Sequence, residues 1–522
     1  MSASGDARAA SRWRQTSLMP PLGGYAALAE SAWMGAAQAC EVLDALRIAI
    51  WHSRPVLPRL PRLQLKGLLT REFGIAEAAF VLMASFFLSA LLGAVRQVLF
   101  NVQFGAGSEA NAYYAAFRLP DTLFSLIAGG ALSSAMIPVL LSTGREDGQA
   151  AVARLVNLVM TSLLAVFAVV VIAGEAFTPW FVSHVLAPGF DASTSQLTVS
   201  LTRVMLLQPL VLAVGSVATA VLNSRSQFLL TALSIASHNI GLIAGILAAQ
   251  LWPGLGIYGP TLGVVAGAVL QVLILLPGMW QNDFRFGLLW APRDQGLRDI
   301  VRLLIPNGLA VGVAYAGFIL DTAFASRAPE AAGLAAIHNA WLLAGLPIAL
   351  LGQAVGQSAF PRLAAYASSG EWLAMRATLR RSLLAVVGLA LPALLALILL
   401  GRPVIHLLFE HGKFDAGAGG LTYAVLVPYA LGLPAYVATE VITRGLIALR
   451  DTRTPLVSNS LQLAGRALVM SLLITAFGVR TIPIAFALLA GLEAIGLGAA
   501  LVVRLQGQIR ADVSAPAFAA GG

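Results

Sequence analysis

The sequence predicts an all-α polytopic membrane protein, in which two parallel six-helix lobes with about 12 transmembrane helices surround a central cavity. Three observations predict this fold: an apolar composition, a one-sided distribution of basic residues, and an internal repeat. Hydrophobic residues occupy 58% of the 522 positions and charged residues only 11%, whereas a soluble domain carries about 25% charged residues. The strands of a membrane β-barrel would alternate in polarity, so helices are the predicted spans.

Apolar runs of membrane-crossing length recur after the first 75 residues. About 20 apolar residues cross the hydrocarbon layer as a helix. Twelve segments meet this requirement, at 76–100, 112–142, 153–178, 197–222, 228–252, 258–278, 298–325, 333–361, 381–400, 417–448, 455–478 and 481–503. The predicted domains are a basic cytoplasmic extension at 1–74, six-helix lobes at 75–285 and 286–505, and a short cytoplasmic tail at 506–522.

The extension at 1–74 is basic and proline-rich, and it contains no secretory signal. A tail that is at least partly disordered is the favoured interpretation. A helix from Tyr25 to Trp51 lying on the membrane surface is the alternative, and a start codon assigned too early is a third reading.

Basic residues predict the orientation of the spans. The loops placed inside hold 24 lysines and arginines together with the N-terminal extension, and those placed outside hold four: Arg327, Arg402, Lys413 and Arg480. Because cytoplasmic loops are enriched in lysine and arginine, both termini are predicted to face the cytoplasm. This bias also explains the formal charge of +9, and no nucleic-acid-binding motif accompanies it.

Two landmarks repeat along the chain at the same offset. The Leu-Pro pairs that begin at Leu119 and Leu346 are 227 residues apart. The helix junction at Leu222 pairs with that at Leu449 at the same distance. Six spans separate equivalent points, so the two copies are predicted to have the same orientation and to bracket a cavity. Chance similarity between apolar helices is the alternative.

No enzyme constellation is present in the sequence. We find no phosphate-binding loop and no carboxylate pair suited to hydrolysis. Cys40 is the only cysteine, which excludes an internal disulfide and a cysteine-cluster metal site. Metal-ligand spacing is also lacking among His238, His338, His406 and His411. We therefore expect no catalytic residue, no metal and no other cofactor.

Ionisable residues within the apolar segments are the candidate functional residues. They are Arg96, Arg118, Arg203, Arg444, Arg466, Glu175, Asp321, Glu440 and Glu493, with Asp121 close by. Such a charge costs at least about 2.5 kcal/mol at the bilayer centre, so it faces a polar cavity or a partner. The planar fork of arginine suits phosphate. Arg96 and Arg118 are therefore predicted to hold an anionic headgroup, with snorkelling or interhelical ion pairing as the alternative.

Sequence motifs between residues 75 and 505 resemble those of the MurJ/MviN family. They lie at 92–96, 104–107, 112–120, 130–133, 137–138, 321–326, 408–414, 429–433 and 450–455. The resemblance implies a lipid II flippase of the multidrug/oligosaccharidyl-lipid/polysaccharide superfamily. Such a protein moves a lipid-linked peptidoglycan precursor from the inner to the outer leaflet of the bacterial cytoplasmic membrane by alternating access. Its implied partners are a polyprenyl-linked substrate, membrane lipids and cell-wall synthesis proteins, and no nucleic acid.

The resemblance also implies site residues, although this chain departs from the family at several of them. Together with the ionisable residues within the spans, it predicts Arg96, Arg118, Asn111 and Asp121 as cavity residues and Asp321, Glu440 and Arg444 as gating or ion-coupling residues. The family has an acidic residue at the position of Asn111, and arginines at the positions of Ala90, Phe124 and Leu342. The implied energy source is the membrane potential or a monovalent ion.

Two other functions remain open at this stage. One is export of another polyprenyl-linked glycan or of drug-like cations by a relative of the same superfamily. The other is a membrane scaffold that transports nothing. An exporter of cations should present acidic residues to its cavity, and a scaffold should pair its ionisable residues within packed interfaces.

Overall fold

The computed structural model describes residues 73–127, 131–282 and 284–514, and within these ranges the regular structure is helical. The sequence predictions for the N-terminal extension lie outside the described residues, apart from its last two positions. So do those for the last eight residues of the C-terminal tail.

Eight helices make up the part of the chain that corresponds to the first predicted lobe. They are α1 (Ile75–Phe104), α2 (Ser108–Ile127), α3 (Ala131–Glu146), α4 (Gly148–Phe181), α5 (Ala192–Met205), α6 (Leu207–Ser224), α7 (Phe228–Leu251) and α8 (Tyr258–Gln281). A π-helical turn at Val182–Leu186 follows α4, and a short 3-10 turn at Pro253–Leu255 follows α7.

Seven helices make up the part that corresponds to the second predicted lobe. They are α9 (Gln295–Arg327), α10 (Gly333–Pro347), α11 (Ala354–Ser369), α12 (Trp372–Phe409), α13 (Ala416–Ala448), α14 (Arg453–Phe477) and α15 (Thr481–Ser514). A π-helical segment at Ile348–Gln353 joins α10 to α11, directly after Pro347. Proline lacks an N–H group and its ring crowds the preceding turn. Pro347 therefore explains why the helix widens into a π-helical segment at this point.

Where the structure describes them, the residues of each of the twelve predicted spans fall on helix. Nine helical stretches of the described residues are long and apolar enough to cross a membrane. The last of these, at 453–510, contains α14 and most of α15, which the turn at Gly478–Arg480 separates. The predicted spans at 112–142 and 298–325 fall on α2 with α3 and on α9, which are not among the nine. The prediction of an all-helical, multi-pass membrane protein is therefore confirmed.

Aspartates begin three of the helices by capping their free N–H groups, as short acidic side chains do at helix N-termini. Asp191 accepts from the N–H groups of the first turn of α5, Asp294 from that of Leu297 at 3.3 Å, and Asp415 from that of Ala418 at 2.8 Å. Hydrogen bonds from the hydroxyls of Ser193 and Thr194 hold the pKa of Asp191 well below its usual range. These caps end the loops and set where the helices begin.

Helices α7 and α8 pack along a line of glycines. A Cβ atom on Gly241 would lie 2.3 Å from the backbone nitrogen of Gly267. One on Gly245 would lie 2.3 Å from the carbonyl oxygen of Gly259. Small residues at such spacing let two membrane helices approach until their backbones touch.

The two halves of the chain meet in a buried cluster of amide side chains. Gln97 on α1 donates to Asn339 Oδ1 on α10 at 2.9 Å, and Asn101 donates to the same oxygen at 3.1 Å. Nearby, the backbone N–H of Lys413 donates to the carbonyl of Val102 at 2.9 Å. These contacts lie towards the helix ends predicted to face outside. The halves are therefore in contact at that end of the molecule.

Candidate functional site

A cavity of about 310 Å³ lies between α2 of the first half and helices α9, α10, α13, α14 and α15 of the second. Its ionisable lining residues are Arg118, Asp321, His338, Glu440, Arg466 and Glu493, and aromatic rings fill much of the remaining wall. A smaller pocket adjoins it, because Arg118 and His338 line both. Arg96 lines this smaller pocket.

Arg118 is oriented by two contacts with α9. Its Nε donates to the Thr322 hydroxyl at 3.2 Å, and its guanidinium carbon lies 5.2 Å from the centre of the Phe318 ring. A cation over an aromatic face is attracted by the negative centre of the ring. The side chain thus projects from α2 into the cavity with its orientation set by the opposite half of the chain.

Arg96 is held by an amide. Its Nη1 donates to Asn239 Oδ1 on α7 at 3.1 Å, and Asn239 in turn donates to the backbone oxygen of Ser89 at 2.9 Å. Within the described ranges, no carboxylate lies at ion-pair distance from Arg96. The remaining guanidinium donors are therefore not engaged by a permanent ion pair.

Asp321 on α9 forms an ion pair with Arg466 on α14. Both residues are buried, with 7% of each exposed, and Arg466 also lies over the Phe486 ring at 5.5 Å. The sequence predicted a basic partner for Asp321 without identifying it. The structure places Arg466 there, and the gating role of the pair stays a prediction.

Glu440 and Arg444 share one face of α13, as their i, i+4 spacing requires. Their side chains are 3.9 Å apart, at the limit of an ion pair. Glu440 lines the large cavity, whereas Arg444 does not.

Asn111 and Asp121, the other two predicted cavity residues, line neither of the two pockets. The Asn111 amide donates to the carbonyl of Ala331 at 2.5 Å and accepts from the N–H of Ala335 at 3.1 Å. It therefore joins α2 to the start of α10, between the halves. Asp121 lies one helical turn after Arg118 and interacts with its charge.

Sequence reasoning missed three residues of the cavity wall. His338 was considered as a metal ligand, whereas in the structure it stacks on Tyr114 with ring centres 4.2 Å apart and lines both pockets. Arg466 and Glu493 were recognised as charges within spans but were not selected as site residues. A charge near the middle of an apolar span was the available signal for both. Because three carboxyl groups share this wall with two arginines, the predicted cationic surface is only part of it.

A multi-pass helical protein with charged residues around a cavity at membrane depth belongs to the class of membrane transporters. The sequence profile of the family described as "Lipid II flippase MurJ" matches residues 100–512, which is most of the chain. This protein therefore belongs to the MurJ family.

Individual relatives agree with this assignment. The lipid II flippase MurJ of Burkholderia cenocepacia is 32% identical over 374 residues, covering 70% of this chain and 72% of its own. A protein of Rhizobium tropici described as "Probable lipid II flippase MurJ" is 29% identical, covering 78% of this chain and 77% of its own.

Solved structures share the fold. A lipid II flippase MurJ in an inward closed conformation superposes with a TM-score of 0.70 at 20% identity, covering 82% of this chain and 90% of that one. An inward-facing multidrug resistance transporter of the MATE family, in the MOP superfamily, gives 0.68 at 14% identity, covering 81% and 96%. The two-lobed arrangement predicted from the internal repeat is consistent with these matches.

Proposed function

We propose that this protein flips lipid II from the inner to the outer leaflet of the bacterial cytoplasmic membrane by alternating access. The observation that carries the proposal is the cavity bounded by Arg118, in a chain that belongs to the MurJ family. A pyrophosphate-sugar headgroup cannot cross bare hydrocarbon, because its polar groups would lose their hydrogen bonds to water. The cavity replaces water with polar side chains while the polyprenyl tail stays in lipid.

Arginine geometry supports a role in binding the pyrophosphate. Arg96 and Arg118 line adjoining pockets, and neither belongs to a close ion pair among the described residues. Both residues line the smaller pocket, so their guanidinium groups would bind phosphate oxygens there by parallel hydrogen bonds. As the halves rock, the headgroup held there is exposed first to one side and then to the other.

The remaining features of the proposal complete this cycle. Both termini face the cytoplasm, the membrane potential or a monovalent ion supplies the energy, and the protein itself catalyses no reaction. The Asp321–Arg466 pair lies beside the cavity and acts in opening and closing it. Cell-wall synthesis proteins are the proposed partners, and nucleic acid is not.

Export of drug-like cations fits the site less well. Of the three carboxyl groups in the cavity wall, Asp321 is neutralised by Arg466, and Glu440 lies near Arg444. The MATE structure matches at 14% identity, which supports a shared fold and no shared substrate. A scaffold without transport would not need the cavity.

Depletion in the native bacterium tests the proposal. Loss of the protein should cause lipid II to accumulate in the inner leaflet, and re-expression of the intact chain should clear it. The leaflet distribution is read from the accessibility of lipid II to a membrane-impermeant enzyme added outside. An unchanged distribution after complete depletion, in cells with no second flippase, would contradict the proposal.

A further inference from the structure

One wall of the large cavity is built from aromatic rings that hold one another in place. Trp341 on α10 contacts three of them edge-to-face, with ring centres 5.3 to 6.0 Å apart: Phe318, Tyr429 and Phe486. Tyr436 stacks on Phe486 with ring centres 5.3 Å apart, and all five rings line the cavity. Since each ring is oriented by its neighbours, the wall is a rigid apolar surface.

Two buried polar atoms of the same cavity have no hydrogen-bond partner among the described residues. One is the donor Nε of Arg466 on α14, and the other is the acceptor Oε1 of Glu493 on α15. Both residues line the cavity, and 7% of each is exposed. Their neighbours leave these two atoms open, because Asp321 pairs with Nη2 of Arg466 and Ser458 bonds elsewhere on Glu493. Buried polar atoms almost always have partners, so an open donor and an open acceptor that share a cavity point to a ligand that satisfies both.

Charges of both signs around this cavity favour a neutral ligand. An anion would be repelled by Glu440 and Glu493, whereas a cation would be repelled by Arg118 and Arg466. Hydroxyl groups carry no charge and both donate and accept hydrogen bonds. Further donors and acceptors in the wall come from Thr439, Thr443, Asn459 and Gln462. An uncharged ring with several hydroxyl groups and a face of C–H groups, which is a sugar, fits both the polar atoms and the aromatic wall.

The smaller pocket fits the charged part of the same ligand. Arg96 and Arg118 are among its described lining residues, and no carboxylate is. Arg118 and His338 line both pockets, so the two spaces adjoin. In a sugar pyrophosphate the first sugar is bonded directly to the pyrophosphate. One headgroup can therefore occupy both pockets, with its sugar in the larger one.

We propose that the large cavity is a carbohydrate subsite, in which a sugar of lipid II packs on the aromatic wall around Trp341 and bonds to Arg466 Nε and Glu493 Oε1. This inference rests on the proposed function for the identity of the ligand. The pyrophosphate lies in the smaller pocket, so the substrate bridges the two halves of the chain. Contacts with the sugar then distinguish lipid II from other polyprenyl pyrophosphates, which the arginines bind alike.

Calorimetric titration of the full chain in detergent tests the subsite with two probes. One probe is lipid II, and the other is the same polyprenyl pyrophosphate without sugar. The wild type should bind lipid II more tightly than the second probe. Trp341→Leu and Glu493→Leu should each weaken binding of lipid II about tenfold, because one removes a stacking surface and the other a hydrogen-bond acceptor. Neither should change the dissociation constant of the sugar-free probe.

Trp180→Leu is the matched control, since Trp180 on α4 is largely exposed, stacks on His184 and lines neither pocket. It should bind both probes as the wild type does. Equal losses for the two probes in Trp341→Leu, or no loss for lipid II, would overturn the proposal. If the cavity variants fail to fold, saturation-transfer NMR of the wild type decides the question. Protons of the sugar ring should receive magnetisation from aromatic protons of the protein, and sugar protons that receive none would rule the subsite out.

The peptide of the peptidoglycan precursor is the other part of the headgroup that this wall could bind. Lipid II without its peptide separates the two cases. Trp341→Leu should weaken binding of this probe as much as that of intact lipid II, and a loss confined to the intact form would refute the carbohydrate subsite. Flipping by a wild-type chain that shows no preference for the sugar would refute the subsite and leave the proposed function standing. A sugar preference in a chain whose depletion leaves lipid II evenly distributed would do the reverse.

Discussion

Two arginines that the sequence treats alike are held differently in the fold. Among the described residues, Arg118 donates to the Thr322 hydroxyl and lies over the Phe318 ring, whereas Arg96 donates one hydrogen bond, to Asn239. Each retains donors that face a pocket. At the scale of the residue, function therefore depends on how many hydrogen bonds a guanidinium has left for a substrate.

Replacement of Arg96 by lysine should distinguish the contribution of its positive charge from that of its planar guanidinium group. Arg96→Lys keeps the positive charge but loses the planar fork, so we expect flipping to fall about tenfold at normal membrane abundance. Reconstituted vesicles give the rate. Arg203→Lys is the control, because Arg203 pairs with Glu175 and is partly exposed. Full activity of Arg96→Ala at normal abundance would end the phosphate-binding interpretation of this residue.

The Asp321–Arg466 pair should matter for stability as well as for gating. Asp321→Asn leaves a buried arginine without its counter-charge, which costs about 3–5 kcal/mol. The melting temperature of the purified protein in detergent should fall accordingly. Glu440→Gln breaks a longer and more exposed pair, at 3.9 Å, and should lower it less. Equal melting temperatures for Asp321→Asn and the wild type would show that the pair contributes nothing to stability.

Helix pairs in this protein differ in what brings them together. α7 and α8 touch along glycines, with no room for a Cβ atom at Gly241. In contrast, α12 presents large apolar side chains outward, among them Leu384, Leu395 and Leu399. The first arrangement suits a close backbone contact and the second suits contact with lipid tails. At the scale of the element, small and large side chains therefore distinguish helix faces that pack against another helix from faces that suit lipid.

An added methyl group should separate the two helices of the glycine line. Gly241→Ala places a Cβ atom 2.3 Å from the backbone nitrogen of Gly267, so the helices must shift, at a cost of about 1–3 kcal/mol. Gly388→Ala on α12 is the matched control, because nothing lies within 4 Å of its added Cβ. Thermal unfolding in detergent should show a loss for the first variant only. Equal stability of the two variants would contradict the packing interpretation.

At the scale of the whole transport unit, the two halves of the described chain are in contact at the end predicted to face outside. Buried amides on Gln97, Asn101 and Asn339 join the halves there, and the loop after α12 bonds to the end of α1. Alternating access requires that these contacts break when the cavity opens outward. Polar contacts suit such an interface, since water can take over their hydrogen bonds when the halves separate.

A disulfide across this closure should stop transport. The N–H of Lys413 lies 2.9 Å from the carbonyl of Val102, which brings the two Cα atoms within the reach of a disulfide. Val102→Cys with Lys413→Cys, in a Cys40→Ser background, should lose lipid II flipping when oxidised and regain it with reductant. Each single cysteine variant is a control. Flipping by the fully oxidised double variant would show that this end need not open.

Much of the fold was predictable because transmembrane helices have a local signature. Every predicted span coincides with helix, and the predicted boundaries fall close to those of α7 and α8. Within the described residues, two spans were predicted as unbroken where the structure has breaks. One is interrupted between α5 and α6, and another by the π-helical segment after Pro347. Such breaks depend on how neighbouring helices satisfy the freed backbone groups, which a hydropathy pattern does not record.

The sequence by itself determined that this protein is a multi-pass helical membrane protein of the MurJ family with charges at membrane depth. Length, apolarity and short motifs are properties of neighbouring residues, so they can be read without the fold. Only the tertiary structure decided which charges meet: it paired Asp321 with Arg466, 145 positions away, and left Glu493 without an ion pair among the described residues. It also placed Asn111 between the halves and outside both pockets. In a low-dielectric interior the state of a charge depends on its nearest partners, and those come from distant parts of the chain.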